Sequence, residues 1–212
     1  MSLDFDLDLA VRTLRDADPK LALLISEVGP CGFKNRGAGS PFAALAESIA
    51  YQQLTGKAAA TIFSRVLAIY KPKRFPAPAD ILATSDQALR AAGLSRSKIV
   101  SIKDLSAKTI DGTVPTLARL RKLSDEEIIE RLTAVRGLGR WTVEMLLMFH
   151  LGRPDVLPAS DYGVRKGVHR TFQTRSLPTP KQILARGERW KPYRSVASWY
   201  LWRSLESKGG RA

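Results

Sequence analysis

An aspartate follows a glycine-rich turn in the stretch AVRGLGRWTVEMLLMFHLGRPDVLPASDYGVRKG, residues 134–167. The carboxylate of Asp161 could stabilise positive charge that develops on a substrate, or orient a water molecule for attack. It could instead cap the helix predicted to begin at DYGVRK, together with Ser160. The residue types leave both roles open, and they make Asp161 the first candidate for a catalytic group.

The two glycines of this stretch lie in a predicted turn between two helices. Gly137 and Gly139 permit positive φ and lack the Cβ that would keep another backbone away. The second helix begins near Arg140, so its unpaired N–H groups offer an anion site beside Arg136. A DNA phosphate fits this pattern, although an ordinary corner between two helices would use the same glycines.

The charge of the chain favours a polyanion as partner. The formal net charge is +14, and most of the excess lies after residue 160. A positive field of this kind attracts nucleic acid or an anionic surface, although a basic face kept for solubility would have the same composition.

Several classes of protein are excluded by the composition. Cys31 is the only cysteine, and there are two histidines, so a disulfide framework, a zinc site of cysteines and an iron–sulfur cluster are excluded. No apolar run approaches the ~20 residues of a membrane span, and the N-terminus MSLDFDLDLA lacks the basic segment of a secretion signal. We expect no membrane partner and a cytoplasmic location.

Helix signals dominate the elements that must position these residues. Asp18-Pro19 begins one predicted helix that Gly29 ends, and Ser124 with Glu127 forms a capping box at the start of another. No segment shows the alternation of a β-strand. The sequence therefore predicts an all-α fold, with a helix-hairpin-helix at about residues 125–150.

The motifs together resemble a known family. VRGLGRWTVEM followed by LPASDYGVRKG is similar to the helix-hairpin-helix (HhH-GPD) DNA glycosylases, within them most similar to the 3-methyladenine (AlkA-type) branch, in a compact form without the N-terminal β-rich domain. SIAYQQLTGKAA, LGRPDVLP and ERWKPYRSVASWYLWR agree, over roughly residues 40–205. The resemblance implies a monomer of two helical lobes, 1–49 with 157–212 and 50–156, and a DNA- and base-binding cleft between them.

The resemblance also implies a reaction. Asp161 would act in hydrolysis of the N-glycosidic bond of 3-methyl- or 7-methylpurines flipped out of double-stranded DNA. Trp141 stands where bifunctional relatives carry the lysine that forms a Schiff base, which implies that strand cleavage is absent. Hypoxanthine and ethenoadenine are alternative substrates, and a non-catalytic lesion-binding module is the alternative function.

The remaining site residues follow from the same resemblance. Gln53 and Leu54 would fill the gap that the flipped base leaves. The residues expected to line the base pocket are Trp141, Tyr51, Trp190 and Tyr193. Core packing is an equal alternative for Trp190 and Tyr193, and it is the role expected of Trp199 and Trp202.

The DNA phosphates are expected at the hairpin and at the basic stretch after Asp161. The residues expected there are Arg136, Gly137, Gly139, Arg140, Thr142, Arg165 and Lys166. A plain surface charge is the alternative for Lys166. The family implies no cofactor and no metal held by side chains, but it implies a Na⁺ or K⁺ ion at the carbonyls of the hairpin.

Overall fold

The regular elements of the computed structural model are all helices. The structure describes residues 3–35, 37 and 39–206, and no β-strand occurs among them, which confirms the predicted all-α class. None of the helices in this described part is both long and apolar enough to span a membrane.

Thirteen α-helices occur in the described residues. In chain order they are α1 (Leu7–Ala17), α2 (Pro19–Val28), α3 (Pro41–Tyr51), α4 (Gly56–Ala68), α5 (Pro78–Ala83), α6 (Asp86–Ala91), α7 (Arg96–Ile110), α8 (Leu117–Leu120), α9 (Asp125–Thr133), α10 (Arg140–Phe149), α11 (Tyr162–Phe172), α12 (Pro180–Gly187) and α13 (Arg194–Arg203), with a 3₁₀ turn at Glu188–Trp190.

The helices form two compact units. The terminal unit comprises Met1–Gly37 and Leu147–Ala212, and the central unit comprises Ala38–Leu146. Helix α3 packs against α4 and α7, so it belongs to the central unit. Pro154 belongs to the terminal unit, where its carbonyl accepts the backbone N–H of Ser195 in α13 at 2.9 Å. The division therefore lies near residues 38 and 146 rather than near the expected 50 and 156.

The terminal unit is organised by Asp18 and by close contact of two helices. Asp18 ends α1 and caps α2 by accepting the N–H groups of Lys20 and Leu21, as its sequence predicts. Helix α11 lies against α13 at Gly167, where any Cβ would collide with the carbonyl of Leu201. The largest buried side chains of this unit are Leu14, Leu21, Ile25, Trp190 and Tyr200.

The central unit is built around α7, which packs against α3, α5 and α6. Its helix α9 begins with the predicted capping box: the Ser124 hydroxyl accepts from the Glu127 N–H, and the Glu127 carboxylate accepts from the Ser124 N–H. The fully buried apolar side chains of this unit include Leu45, Ile49, Leu89, Leu105, Leu120, Ile128 and Leu132.

Candidate active site

The turn between α9 and α10 is held by α7. Gly137 has φ of +80°, and a Cβ there would lie 2.5 Å from the Ser101 hydroxyl oxygen. Beside it, the Arg136 backbone N–H donates to the Asp104 carboxylate at 2.7 Å. A larger residue at position 137 would therefore meet both a strained backbone conformation and a neighbouring side chain.

The hairpin exposes the groups expected to meet phosphate. Arg136, Gly137, Gly139 and Arg140 are all exposed. The Arg140 guanidinium is shared, because it donates to Glu126 and to Glu144 at 3.1 Å each. A phosphate that approaches Arg140 would have to compete with these two carboxylates.

Thr142 has a different position from its hairpin neighbours. Its side chain is buried, with 6% exposure, and lines a pocket below the turn. We therefore assign Thr142 to the pocket wall, since a buried hydroxyl does not reach a phosphate on the surface.

An apolar pocket lies between the start of α10 and the end of α3, within the central unit. Its volume is about 400 Å³, in the range of sites that bury small ligands. Its lining is Ser48, Tyr51, Gln52, Gln53, Trp141, Thr142 and Met145. Trp141 is 46% exposed, and the half-buried Tyr51 ring packs edge-on against Phe63 at 6.0 Å. Tyr51 and Trp141, predicted from distant parts of the sequence, thus share one pocket.

The turn after α3 is strained and tied to the hairpin. Gln53 is exposed with φ of +57°, a left-handed conformation that costs a non-glycine residue about 1–2 kcal/mol. The Gln52 side-chain amide donates to the Gly137 carbonyl at 3.0 Å. Leu54 follows with 41% exposure. Strain of this kind concentrates at functional sites, and here it presents two consecutive side chains to solvent.

Asp161 is both a helix cap and the acceptor of an indole. Its Oδ1 accepts the Val164 backbone N–H at 2.7 Å, so it caps α11 as one interpretation of the sequence predicts. The same oxygen accepts the Nε1–H of Trp202 at 2.8 Å. A Cβ at Gly163 would lie 2.8 Å from the Trp202 ring, so glycine lets the indole lie against the start of the helix.

The sequence interpretation missed one contact of Trp202. The half-buried ring packs against the core of the terminal unit, as we expected, but its polar edge also donates to Asp161. A buried or half-buried indole N–H generally requires an acceptor, and this was the available signal. The residues around Trp202 in the sequence do not identify the acceptor, because Asp161 lies 41 positions away in the chain.

Comparison with known proteins decides the family. The model of the HhH-GPD superfamily of base excision DNA repair proteins matches residues 46–192, which include the hairpin, the pocket and Asp161. The chain belongs to the HhH-GPD superfamily. The resemblance that its motifs predicted is thereby confirmed.

Individual members of the HhH-GPD superfamily are similar over most of their length. DNA-3-methyladenine glycosylase 1 of Schizosaccharomyces pombe is 43% identical over 164 residues, which are 77% of this chain and 72% of that protein. An alkylbase DNA glycosidase-like protein of the same yeast is 31% identical, over 99% of this chain and 100% of its own. The solved structure of the S. pombe 3-methyladenine DNA glycosylase in complex with abasic DNA is 38% identical, with a TM-score of 0.84, and the match covers 93% of this chain and 97% of that one.

Two aromatic residues expected in the base pocket of this HhH-GPD protein pack in the terminal unit instead. Trp190 is fully buried, its indole N–H donates to Asp18 at 3.2 Å, and its ring stacks on Phe172 at 6.0 Å. Tyr193 is half-buried against Phe5, with ring centroids 5.9 Å apart. Since a buried indole has no free face for a ligand, we leave Trp190 out of the base pocket and adopt the core role for both residues.

The two basic residues expected to bind phosphate after Asp161 differ in their contacts. The Arg165 Nε donates to the Pro178 carbonyl at 2.7 Å. Lys166 is exposed, and its ammonium lies 5.4 Å from the centre of the Tyr162 ring. Lys166 is therefore the better placed of the two for a surface phosphate.

The HhH-GPD family implies a monovalent cation at the hairpin, and the ligand type there suits one. Among the described residues, no group of three or more His, Cys, Asp or Glu side chains could hold a metal ion. The turn instead offers carbonyl oxygens, of which Gly137 accepts one bond from Gln52 and Val135 one from the Leu138 N–H. A carbonyl oxygen has two lone pairs, so each can still bind a cation.

Proposed function

We propose that this protein is a monofunctional DNA glycosylase that hydrolyses the N-glycosidic bond of 3-methyl- and 7-methylpurines in double-stranded DNA. The observation that carries the proposal is Asp161, whose carboxylate is fixed by the Val164 N–H and the Trp202 indole. The names of the relatives support the same reaction: one is a DNA-3-methyladenine glycosylase and another is alkylbase glycosidase-like.

The carboxylate would act on the sugar. When the bond between C1′ and the base nitrogen breaks, the base leaves with the bonding electrons and positive charge develops on the sugar ring. A negative group fixed before the reaction stabilises that charge without the cost of reorganising in the transition state. Asp161 would also orient the water that attacks C1′ and take up its proton, which leaves an abasic site and a free base.

The pocket would hold the flipped base. Purines methylated at N3 or N7 carry positive charge, which makes them good leaving groups and suits them to aromatic faces. A cation over Trp or Tyr gains about 0.5–2 kcal/mol, depending on its desolvation. Trp141 and Tyr51 supply these faces in a pocket of about 400 Å³. An indole at position 141 cannot form a Schiff base, which is the reason to propose hydrolysis without strand cleavage.

The two turns beside the pocket would contact the DNA duplex. We propose that Gln53 and Leu54 enter the base stack where the damaged nucleotide has left, because their turn presents them to solvent. The exposed hairpin with Arg136 and Gly139, together with Lys166, would hold phosphates. DNA binding by a monomer should then weaken steeply with salt.

A second candidate is a lesion-binding module that leaves the glycosidic bond intact. The observation in its favour is that Asp161 caps α11, which gives the residue a purely structural use. Against it stands the name of a relative 43% identical to this chain, which is a DNA-3-methyladenine glycosylase.

Release of bases from damaged DNA tests the proposal. Duplex DNA treated with a methylating agent is incubated with the protein, and the supernatant is analysed by mass spectrometry. We expect free 3-methyladenine and 7-methylguanine, abasic sites in the duplex, and no covalent adduct when borohydride is present. Specific binding of methylated duplex without any released base would establish the lesion-binding module instead, and a borohydride adduct would establish a lyase.

A further inference from the structure

A second cavity lies in the terminal unit, apart from the residues assigned to base excision. Its volume is about 500 Å³, and three arginines line it: Arg175, Arg186 and Arg189. Among the described residues, no aspartate or glutamate belongs to its lining. A concave site with three guanidinium groups and no carboxylate in its wall favours an anionic ligand.

The wall of this cavity is fixed by side-chain contacts. After α11 ends, Gln173 adopts φ of +52° and the chain turns back toward α12. The Thr174 hydroxyl then bonds to His169 Nδ1 at 2.9 Å and donates to the Ser176 carbonyl at 2.8 Å. These bonds hold the segment that carries Arg175, so the cavity is formed before any ligand arrives.

The three arginines differ in the contacts that their guanidinium groups already make. The Arg186 guanidinium lies over the Phe172 ring at 4.0 Å and is 4.0 Å from Asp18, which offsets part of its charge. Asp18 itself is buried and also accepts from Trp190. Arg175 and Arg189 are exposed, and neither pairs with a carboxylate in the part of the chain that the structure describes. They supply the open charge of the cavity.

We propose that this cavity binds the phosphate of a nucleotide, either a free nucleoside monophosphate or the terminal phosphate of a DNA strand. Guanidinium groups donate to two phosphate oxygens at once, which makes arginine clusters selective for phosphate. The aliphatic surface of Val168, Pro178 and Ala185 in the same cavity offers an apolar contact for the attached sugar or base. The volume lies within the range of small-ligand sites.

The cavity is separate from Asp161 along the same helix. Asp161 caps the first turn of α11, whereas the cavity is lined by Val168 and by residues beyond the end of that helix. Eleven residues of α-helix rise by about 16 Å, so the two ends are well apart. The phosphate site is therefore an addition to the proposed base excision site and does not depend on it.

Calorimetric titration of the full chain with four probes tests this site. The probes are deoxyadenosine 5′-monophosphate, deoxyadenosine, and one short single-stranded oligonucleotide with either a 5′-phosphate or a 5′-hydroxyl. The variant is Arg175→Gln/Arg189→Gln. The matched control is Lys71→Gln/Arg74→Gln, which removes the same charge from exposed positions of the central unit.

We expect a phosphate-dependent affinity that the cavity variant loses by at least tenfold and the control retains. Binding of the monophosphate but not the nucleoside assigns the site to free nucleotides. An advantage only for the 5′-phosphorylated strand assigns it to strand ends. The proposal is overturned if neither phosphate probe binds better than its unphosphorylated partner, or if both double variants lose affinity equally. Since no base release is measured, none of these results bears on the proposed glycosylase activity.

Discussion

The indole Nε1 of Trp202 donates to Asp161 Oδ1 at 2.8 Å, and the same oxygen accepts the Val164 N–H. A side chain on α13 thereby fixes a carboxylate at the start of α11. Two donors on one oxygen restrict the rotation of the carboxylate, so the second oxygen has a defined direction as well. Base excision by Asp161 requires that this second oxygen is directed at the sugar of the damaged nucleotide.

Replacing Trp202 by Phe should slow base release without unfolding the protein. The change removes the indole N–H and retains a ring against Phe149, whose centroid lies 6.0 Å from that of Trp202. A hydrogen bond to a charged acceptor contributes roughly 1.5–3 kcal/mol to stability, so the melting temperature should fall by several degrees. Because one donor instead of two then holds the carboxylate, we expect at least about a tenfold loss in the single-turnover rate. The affinity for damaged DNA should change little.

Trp199→Phe is the matched control for this prediction. It removes an indole three residues away on α13, from a ring that packs edge-on against Tyr200. Equal rate losses in Trp199→Phe and Trp202→Phe would show that the effect comes from the packing of α13 rather than from the bond to Asp161.

Gln53→Gly should make the protein more stable and less active. Glycine adopts the left-handed conformation freely, so relief of the strain at φ of +57° should raise the free energy of unfolding by roughly 0.5–1 kcal/mol. Loss of the side chain should at the same time reduce base release, since nothing replaces it in the stack. Denaturant unfolding and single-turnover release measure the two effects.

Gln173→Gly is the control for this prediction, because it relieves the same backbone strain at a glutamine that has no proposed role in DNA binding. Gln173 has φ of +52° at the end of α11, so its replacement should stabilise the protein by a similar amount. Its base release should equal that of the wild type. If both variants gain stability and both keep full activity, Gln53 does not enter the duplex.

Acid should weaken the contribution of Asp104 to stability. Burial raises the pKa of this carboxyl, but its bonds to the Arg136 N–H and the Lys108 ammonium outweigh burial and hold the pKa below its usual value. A lowered folded pKa stabilises the protein above the unfolded value, and that stability is lost as the pH falls through the folded value. The free energy of unfolding of wild type minus that of Asp104→Asn should therefore be positive at pH 7 and shrink below about pH 4.

Urea unfolding of both proteins between pH 7 and pH 2.5 measures this difference. A constant difference across the range would show that Asp104 holds the hairpin equally well when protonated. The hairpin would then be held by the packing of Gly137 against Ser101 rather than by an ionised carboxylate.

Local signals predicted the hairpin because its helix cap and its glycine turn are each formed by residues close in sequence. Ser124 and Glu127 form the expected capping box, and Gly137 has the expected positive φ. The family motif added Trp141 and Tyr51, which share the apolar pocket. Each of these features depends on signals at helix termini or on a motif whose residues are contiguous in the sequence.

Contacts between distant helices could not be predicted in the same way. Trp190 bonds to Asp18 across 172 positions, and Trp202 bonds to Asp161 across 41. An aromatic residue on a helix shows that something must cover it, but not whether that partner is a core or a carboxylate. The first boundary between the units differs from the expected one for a related reason, because the assignment of α3 depends on its packing against α7.

The rate of base release by Asp161→Asn tests the central claim most directly. Asparagine caps helices as well as aspartate does, and its oxygen can still accept from Val164 and Trp202, so the variant changes the charge and little else. Asp161→Ala loses the cap and also leaves the Trp202 indole without its acceptor, so it should be less stable by at least about 1 kcal/mol and serves as the comparison. We predict that Asp161→Asn binds methylated duplex and melts like the wild type, but releases 3-methyladenine at least about 100-fold more slowly. Release by Asp161→Asn at the wild-type rate would contradict the account.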